Sequence, residues 1–154
     1  MNKVREAYQF AYEAHDGQVR KNGVPYMVHP SRVALSVGLI DLEPHYIIAA
    51  LLHDVVEDTD VTLPEIYQTF GERVEYLVDK LTHKKGDSYF HYILNIVNDG
   101  RCGLIVIKYA DIYDNWNDQS TEEAKRKYKD AVALFNLVDP TTMKSIESTI
   151  GRLT

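Results

Sequence analysis

The run His53-Asp54-Val55-Val56-Glu57-Asp58-Thr59 puts one imidazole and three carboxylates directly after an apolar stretch, Ile47-Ile48-Ala49-Ala50-Leu51-Leu52. Charge at the end of an apolar segment must be paired, solvated or metal-bound, because burying it alone is costly. Imidazole with carboxylate suits Zn, Mn, Fe or Co better than Ca or an oxygen-bound Mg. On one continuous helix, adjacent residues are about 100° apart, so His53 and Asp54 share a rim. Glu57 and Asp58 then fall one turn further along the same stripe. The chemistry such a set could perform is metal-assisted hydrolysis. A cation would lower the pKa of water and the extra acids would handle its proton. Two residues do not complete a metal site, so further ligands must come from elsewhere in the chain. Taken alone, a His-Asp pair also reads as a helix cap or an ion pair.

A second anomaly is Asp111, set within the apolar run from Leu104 to Tyr113. It needs a partner, which is either a metal or a neighbour such as Lys108 or a tyrosine. Asn115 lies one turn on and shares its face. His29-Pro30 opens a helix, where a histidine is a start residue or a ligand. Arg20 and Lys21 flank a turn at Asn22-Gly23 and read on their own as solvated bases. The polar stretch from Thr82 to Ser88, with His83, Lys84 and Lys85, is a solvated turn or a loop at the mouth of a site. His45 and His91 read as surface residues.

The elements that must position these groups are all helical. Helical spacing predicts a first helix from Asn2, its cap, to Ala14, with Gly17 ending it. A second helix runs from His29-Pro30 to Gly38 or Asp41, with Val33, Ala34, Val37 and Leu39 inward. A third starts at Glu43-Pro44 and runs to His53 or beyond; its apolar content nearly all round marks it as the most buried. Thr62-Leu63-Pro64-Glu65 has the form of a capping box before a short helix to Phe70. Further helices are expected over about 72–81, 87–98, 103–117, 121–137 and 141–153. The β-branched start of the 103–117 segment could pass for a strand. No other convincing strand exists to pair with it, so a buried helix is the reading. Tyr128, Val132, Leu134 and Phe135 form an inward stripe.

Composition bounds the rest. With 154 residues and 45% hydrophobic content, the chain is sized for one globular domain spanning 1–154. Its 23 acids against 17 bases give a net charge of −6, which disfavours nucleic acid as a partner. The single cysteine, Cys102, excludes an internal disulfide framework and fits a reducing compartment. Neither a signal stretch nor a run of transmembrane length is present, which points to a cytoplasmic protein with no membrane partner. The sequence sets no oligomeric state.

Three stretches together resemble a known family. Ala14-His15-Asp16-Gly17-Gln18-Val19-Arg20-Lys21-Asn22-Gly23-Val24-Pro25-Tyr26-Met27-Val28-His29-Pro30 resembles the opening of the hydrolase domain of RelA/SpoT-type alarmone enzymes. Ala50-Leu51-Leu52-His53-Asp54-Val55-Val56-Glu57-Asp58-Thr59 resembles its central motif, and Lys108-Tyr109-Ala110-Asp111 through Asn115 its third. The length is similar to the stand-alone, SpoT-homologue type of small alarmone hydrolase. The resemblance implies an all-α, HD-superfamily bundle. It implies His29, His53, Asp54 and Asp111 as ligands of Mn²⁺, and removal of the 3′-pyrophosphate from guanosine tetra- or pentaphosphate. By the same resemblance, Glu57 and Asp58 would stand beside the reacting water. Arg20 would stack on the base, Lys21 would assist in the pocket, Asn115 would contact sugar or phosphate, and Tyr128 would touch substrate. Three positions depart from the family pattern: Ile112 for Arg, Asp114 for His, and Tyr109 for Leu. They are expected to line or border the pocket, which keeps a second reading open, an HD phosphohydrolase of another nucleotide such as a deoxynucleotide or NADPH. A third is a non-catalytic nucleotide sensor.

Overall fold

The structure, a computed structural model, describes residues 2–40, 42–118 and 121–152. Helices follow one another throughout: α1 (Lys3–Ala14), α2 (Val28–Gly38), α3 (Pro44–Leu52), α4 (Val55–Asp58) and α5 (Leu63–Phe70). After these come α6 (Glu72–Leu81), α7 (Tyr89–Asp99), α8 (Cys102–Asn117), α9 (Glu122–Val138) and α10 (Pro140–Thr149). Among the described residues the only extended pairing is an antiparallel bridge between Val19 and Pro25. The expected all-α class is therefore observed.

Local signals account for the boundaries. Asn2 Oδ1 accepts from the Val4 N–H at 3.0 Å and caps α1. Thr62 and Glu65 form the capping box that starts α5. Gly71, at φ 87°, separates α5 from α6 in a conformation that a side chain would strain. Thr121 and Asp139 cap α9 and α10 through their side chains.

The centre is α3, which packs against α1, α2, α6 and α8. It buries Ile48, Ala49, Ala50, Leu51 and Leu52 in succession, as a helix enclosed on all sides must. The second buried helix is α8, with Leu104 to Ile107 and Tyr109 to Ile112 inside. Its β-branched start is helical because burial against α2, α3 and α6 overrides local propensity. At the α3–α8 crossing, a Cβ on Gly103 would lie 2.2 Å from the Tyr46 ring, so only glycine fits there.

Several expectations are corrected. The third helix does not continue through His53-Asp54; it stops at Leu52 and α4 restarts at Val55. Leu39 is not inward but 62% exposed, just beyond the end of α2. His45 is half-buried beside Tyr46 and not on the surface. The seventh helix starts at Tyr89, two residues later than expected. The last helix ends at Thr149; its expected end at Leu153, and Asp41 as an end of α2, lie outside the described residues.

Leu52 is fully buried and immediately precedes His53. Leu52→Ala is expected to lower unfolding free energy by about 2–5 kcal/mol, measured by urea denaturation. A loss under about 1 kcal/mol would mean that the centre of the bundle repacks freely.

Candidate metal centre and adjoining cavity

The break after α3 creates the site. His53 caps the helix in right-handed geometry, and Asp54, at φ −98°, turns the chain into α4. His53 Nδ1 donates to the Ala50 carbonyl at 2.8 Å, satisfying one orphan carbonyl of the helix end. That bond points Nε2 inward, where it is buried with no hydrogen-bond partner. Two further helices deliver their groups to this point. From the start of α2 comes His29, and from the middle of α8 comes Asp111. His29 Nε2 lies 3.1 Å from Asp111 Oδ1 and 3.5 Å from Asp54 Oδ2. His53 Nε2 lies 3.1 Å from Asp54 Oδ1 and 3.7 Å from Asp111 Oδ1. Donor atoms of His29, His53 and Asp54 all fall within 4.8 Å of one another, a group able to hold a metal ion.

The donor set fits a divalent transition metal: the imidazole nitrogens of His29 and His53, the second of them buried without a hydrogen bond, and the Asp54 carboxylate, with Asp111 Oδ1 lying beside the group, 3.1 Å from His29 Nε2. Electrostatics point the same way. Burial opposes charge on His53, but Asp54 and Asp111 outweigh it and hold the ring protonated well above the usual range. His29 is raised against its burial by Asp111 and Asp114. Asp54 is held below the usual carboxylate range despite burial, by His53 and then His29. Asp111 is held well below it, by Lys108 first and the histidines next.

Asp111 has the neighbouring partner that its burial requires, on one of its two oxygens. Lys108 Nζ, on a half-buried side chain, donates to its Oδ2 at 2.7 Å, while Oδ1 faces the histidines. Burial opposes the ammonium charge, yet Asp111, Tyr92 and Tyr89 keep Lys108 protonated. The ammonium lies 5.0 Å from the centroid of the Tyr92 ring. Asn115 Nδ2 donates to Oδ1 at 2.6 Å, as the shared face required.

The two acids beyond the break diverge. Tyr26, which the sequence reading did not single out, has its hydroxyl 2.8 Å from Asp54 Oδ2 and 2.6 Å from Asp58 Oδ2. The Tyr26 ring stacks on buried His15 at 4.4 Å, and Gln18 joins His15 Nδ1 to the Asp58 carbonyl. Glu57 turns the other way, and its Oε2 accepts from the His83 N–H at 2.9 Å. The loop after α6 is therefore anchored at the site. Partial desolvation raises the Glu57 pKa, with the Asp54 charge adding to it and the His83 N–H opposing.

Next to the cluster is a cavity of about 240 Å³ whose wall includes Arg20, Lys21, Tyr26, Asn115 and Tyr128. All four residues expected at the substrate are brought together there. Arg20 is fixed by Asp118 at 2.9 Å and by Asn115 Oδ1 at 2.8 Å. Asp118 also receives Asn22 Nδ2 at 2.6 Å, so the end of α8 clamps the Asn22-Gly23 turn. Tyr26, Asp118 and His15 were missed. Only proximity in the fold reveals them, although Tyr26 stands three residues before His29 in the opening motif. The departures do not line the cavity, contrary to expectation. Ile112 and Tyr109 are core residues, and Asp114 lies behind His29, accepting from Nδ1 at 2.7 Å.

An all-helical fold with a His/Asp cluster at a helix break defines a class. The sequence matches the HD domain family over residues 7–99, and the chain belongs to that family. Asp111 lies beyond the matched stretch. Among similar proteins is a guanosine-3′,5′-bis(diphosphate) 3′-pyrophosphohydrolase of Aquifex aeolicus, 41% identical over 73% of this chain and 17% of that protein. The bifunctional (p)ppGpp synthase/hydrolase SpoT of Escherichia coli is 38% identical over 72% of this chain and 17% of its own. The chain thus spans under a fifth of the length of these curated relatives, 17% in each case. A solved structure described as a metazoan ortholog of SpoT that hydrolyzes ppGpp superposes with a TM-score of 0.76 at 28% identity, covering 99% of this chain and 98% of that one. Lmo0812 from Listeria monocytogenes shares the fold, with a TM-score of 0.68 at 24% identity over 83% of this chain and 94% of its own.

Metal ligation requires neutral imidazoles, and those of the metal-free protein hold protons above the usual histidine range. Mn²⁺ binding at pH 7 is therefore expected to release protons and to weaken as pH falls. Calorimetry in buffers of different ionisation enthalpy measures the release. A value of zero would contradict ligation by imidazoles that are protonated before the metal binds.

Proposed function

We propose that this chain is a metal-dependent 3′-pyrophosphohydrolase of guanosine 3′,5′-bis(diphosphate), with residues 1–154 acting as one HD-type unit. The observation that carries this reading is Tyr26. It forms part of the cavity wall and is hydrogen-bonded to both Asp54 and Asp58. A nucleotide seated among Arg20, Lys21, Asn115 and Tyr128 therefore has its phosphates beside the cluster. The similarity to (p)ppGpp hydrolases supports the choice of nucleotide.

His29, His53, Asp54 and Asp111 would hold the metal, with Mn²⁺ as the ion. When bound, the metal lowers the pKa of water and neutralises phosphate charge. Glu57 accepts the proton of the attacking water. Desolvation raises its pKa and so its strength as a base, and the His83 N–H fixes its orientation. Asp58, held by the Tyr26 hydroxyl, orients the water. Arg20, fixed as a plane by Asp118 and Asn115, stacks on the guanine. Lys21, exposed at the rim, meets phosphate. Asn115 and Tyr128 face the sugar and phosphates. The partner is a small nucleotide in the cytoplasm, with neither nucleic acid nor membrane involved; no described helix is long and apolar enough to cross a membrane. The reading of another nucleotide as substrate loses its motive, because Ile112, Tyr109 and Asp114 lie outside the cavity wall.

Purified protein with Mn²⁺ is expected to release pyrophosphate from guanosine tetraphosphate, and EDTA to abolish the release. Release from other nucleotides alone would overturn the substrate. Glu57→Gln is expected to retain Mn²⁺ and lower kcat by about 10²–10⁴-fold. Full activity of that variant would remove Glu57 as the base.

A further inference from the structure

His29 and His53 are backed differently. Each is held through Nδ1, which leaves Nε2 facing the cluster. For His53 the acceptor is a neutral backbone carbonyl, that of Ala50, at 2.8 Å. For His29 it is a carboxylate, Asp114 Oδ2, at 2.7 Å. An ionised carboxylate can only accept, so Nδ1 must carry the hydrogen. When the ring is neutral, its lone pair is then on Nε2, between Asp111 Oδ1 at 3.1 Å and Asp54 Oδ2 at 3.5 Å. A charge-assisted bond of this kind is shorter and stronger than one to a neutral acceptor.

Among the described residues Asp114 has one other close basic partner, Arg32, whose Nη1 is 3.6 Å from Oδ1. Arg32 is 56% exposed, and a long ion pair at such a position contributes little. The His29 contact is nearly 1 Å shorter, with the ring 1% and the carboxylate 13% exposed. Asp114 therefore faces His29 in a mostly dry pocket, and Arg32 closes its outer side. Asp111 and Asp114 are three residues apart on α8, on one face. The same helix turn supplies a carboxylate to each nitrogen of one imidazole.

We propose that Asp114 is a positioning residue for the metal site: its carboxylate fixes His29 as the Nδ1–H tautomer and aims Nε2 at the space shared with His53, Asp54 and Asp111. The inference rests on the metal reading above. It gives a role to one of the positions where this chain departs from the pattern of the family it resembles. Partners of this kind orient a ligating imidazole and raise its basicity, and their removal weakens metal binding by about 10–100-fold.

The test is Mn²⁺ alone, titrated by calorimetry into metal-free protein, with helicity followed by circular dichroism. Asp114→Ala is expected to stay helical and bind Mn²⁺ about 10–100-fold more weakly than the unsubstituted protein. Asp114→Asn, whose amide oxygen still accepts from Nδ1–H, is expected to fall between the two. Arg32→Ala is expected to bind within about twofold of the unsubstituted protein, because the positioning acts through His29. If Asp114→Ala fails to fold, Asp114→Asn carries the test by weakening at least threefold. Affinity unchanged in the folded Asp114 variants would overturn the proposal and leave the metal reading standing. Equal weakening by Arg32→Ala would overturn it as well, by making the whole ion-pair cluster structural. No Mn²⁺ bound by the unsubstituted protein would overturn both.

Discussion

A carboxylate in the middle of a buried helix sets the terms for the rest of the structure. The Asp111 side chain is 6% exposed, and an unpaired anion there would cost far more than the fold has to spend. It is held by Lys108 on one oxygen and by Asn115 and two imidazoles on the other. Those partners come from α2, from the end of α3 and from α8 itself. Helices that bury mostly apolar residues are therefore the ones that supply the charged groups. Breaking such a set by removing one partner leaves its neighbours uncompensated, which is where the large penalties lie.

That arrangement explains why the central helix ends where it does. Were α3 to continue past Leu52, Asp54 would be committed to helical geometry, one position round from His53. The turn at His53-Asp54 instead brings both toward His29 and Asp111 and lets Tyr26 reach Asp54 and Asp58 together. The loop before α2 is built to the same end. Its bridge at Val19 and Pro25, and the Asp118 clamp on Arg20 and Asn22, set the cavity wall against the cluster. The cavity wall and the His/Asp cluster thus meet at Tyr26, so geometry in one is transmitted to the other.

Much of this was legible in the sequence because apolar spacing and caps are local signals. Asn2, Thr62-Glu65 and Thr121 mark helix starts without reference to the rest of the chain. The charged residues of the site were legible as anomalies, since each lay next to an apolar run. What sequence could not show was which charges meet. Asp114 looked like an alteration of the pocket and proved to lie behind His29. Ile112 looked like a pocket residue and proved to be core. The break at His53-Asp54 was invisible because neither residue breaks helices by propensity; the pull of partners on α2 and α8 does so. Tyr26 had only its place three residues before His29 to mark it, since its role depends on two carboxylates about 30 residues away.

The central claim is that His29, His53, Asp54 and Asp111 form one metal site. The most direct measurement is a crystal structure of Mn²⁺-loaded protein with data collected at the manganese absorption edge. The expected result is one anomalous peak within about 2–2.3 Å of a donor atom from each of the four side chains. A peak elsewhere, or none with Mn²⁺ present at saturating concentration, would contradict the claim. The cluster would then be a self-neutralising ion-pair network.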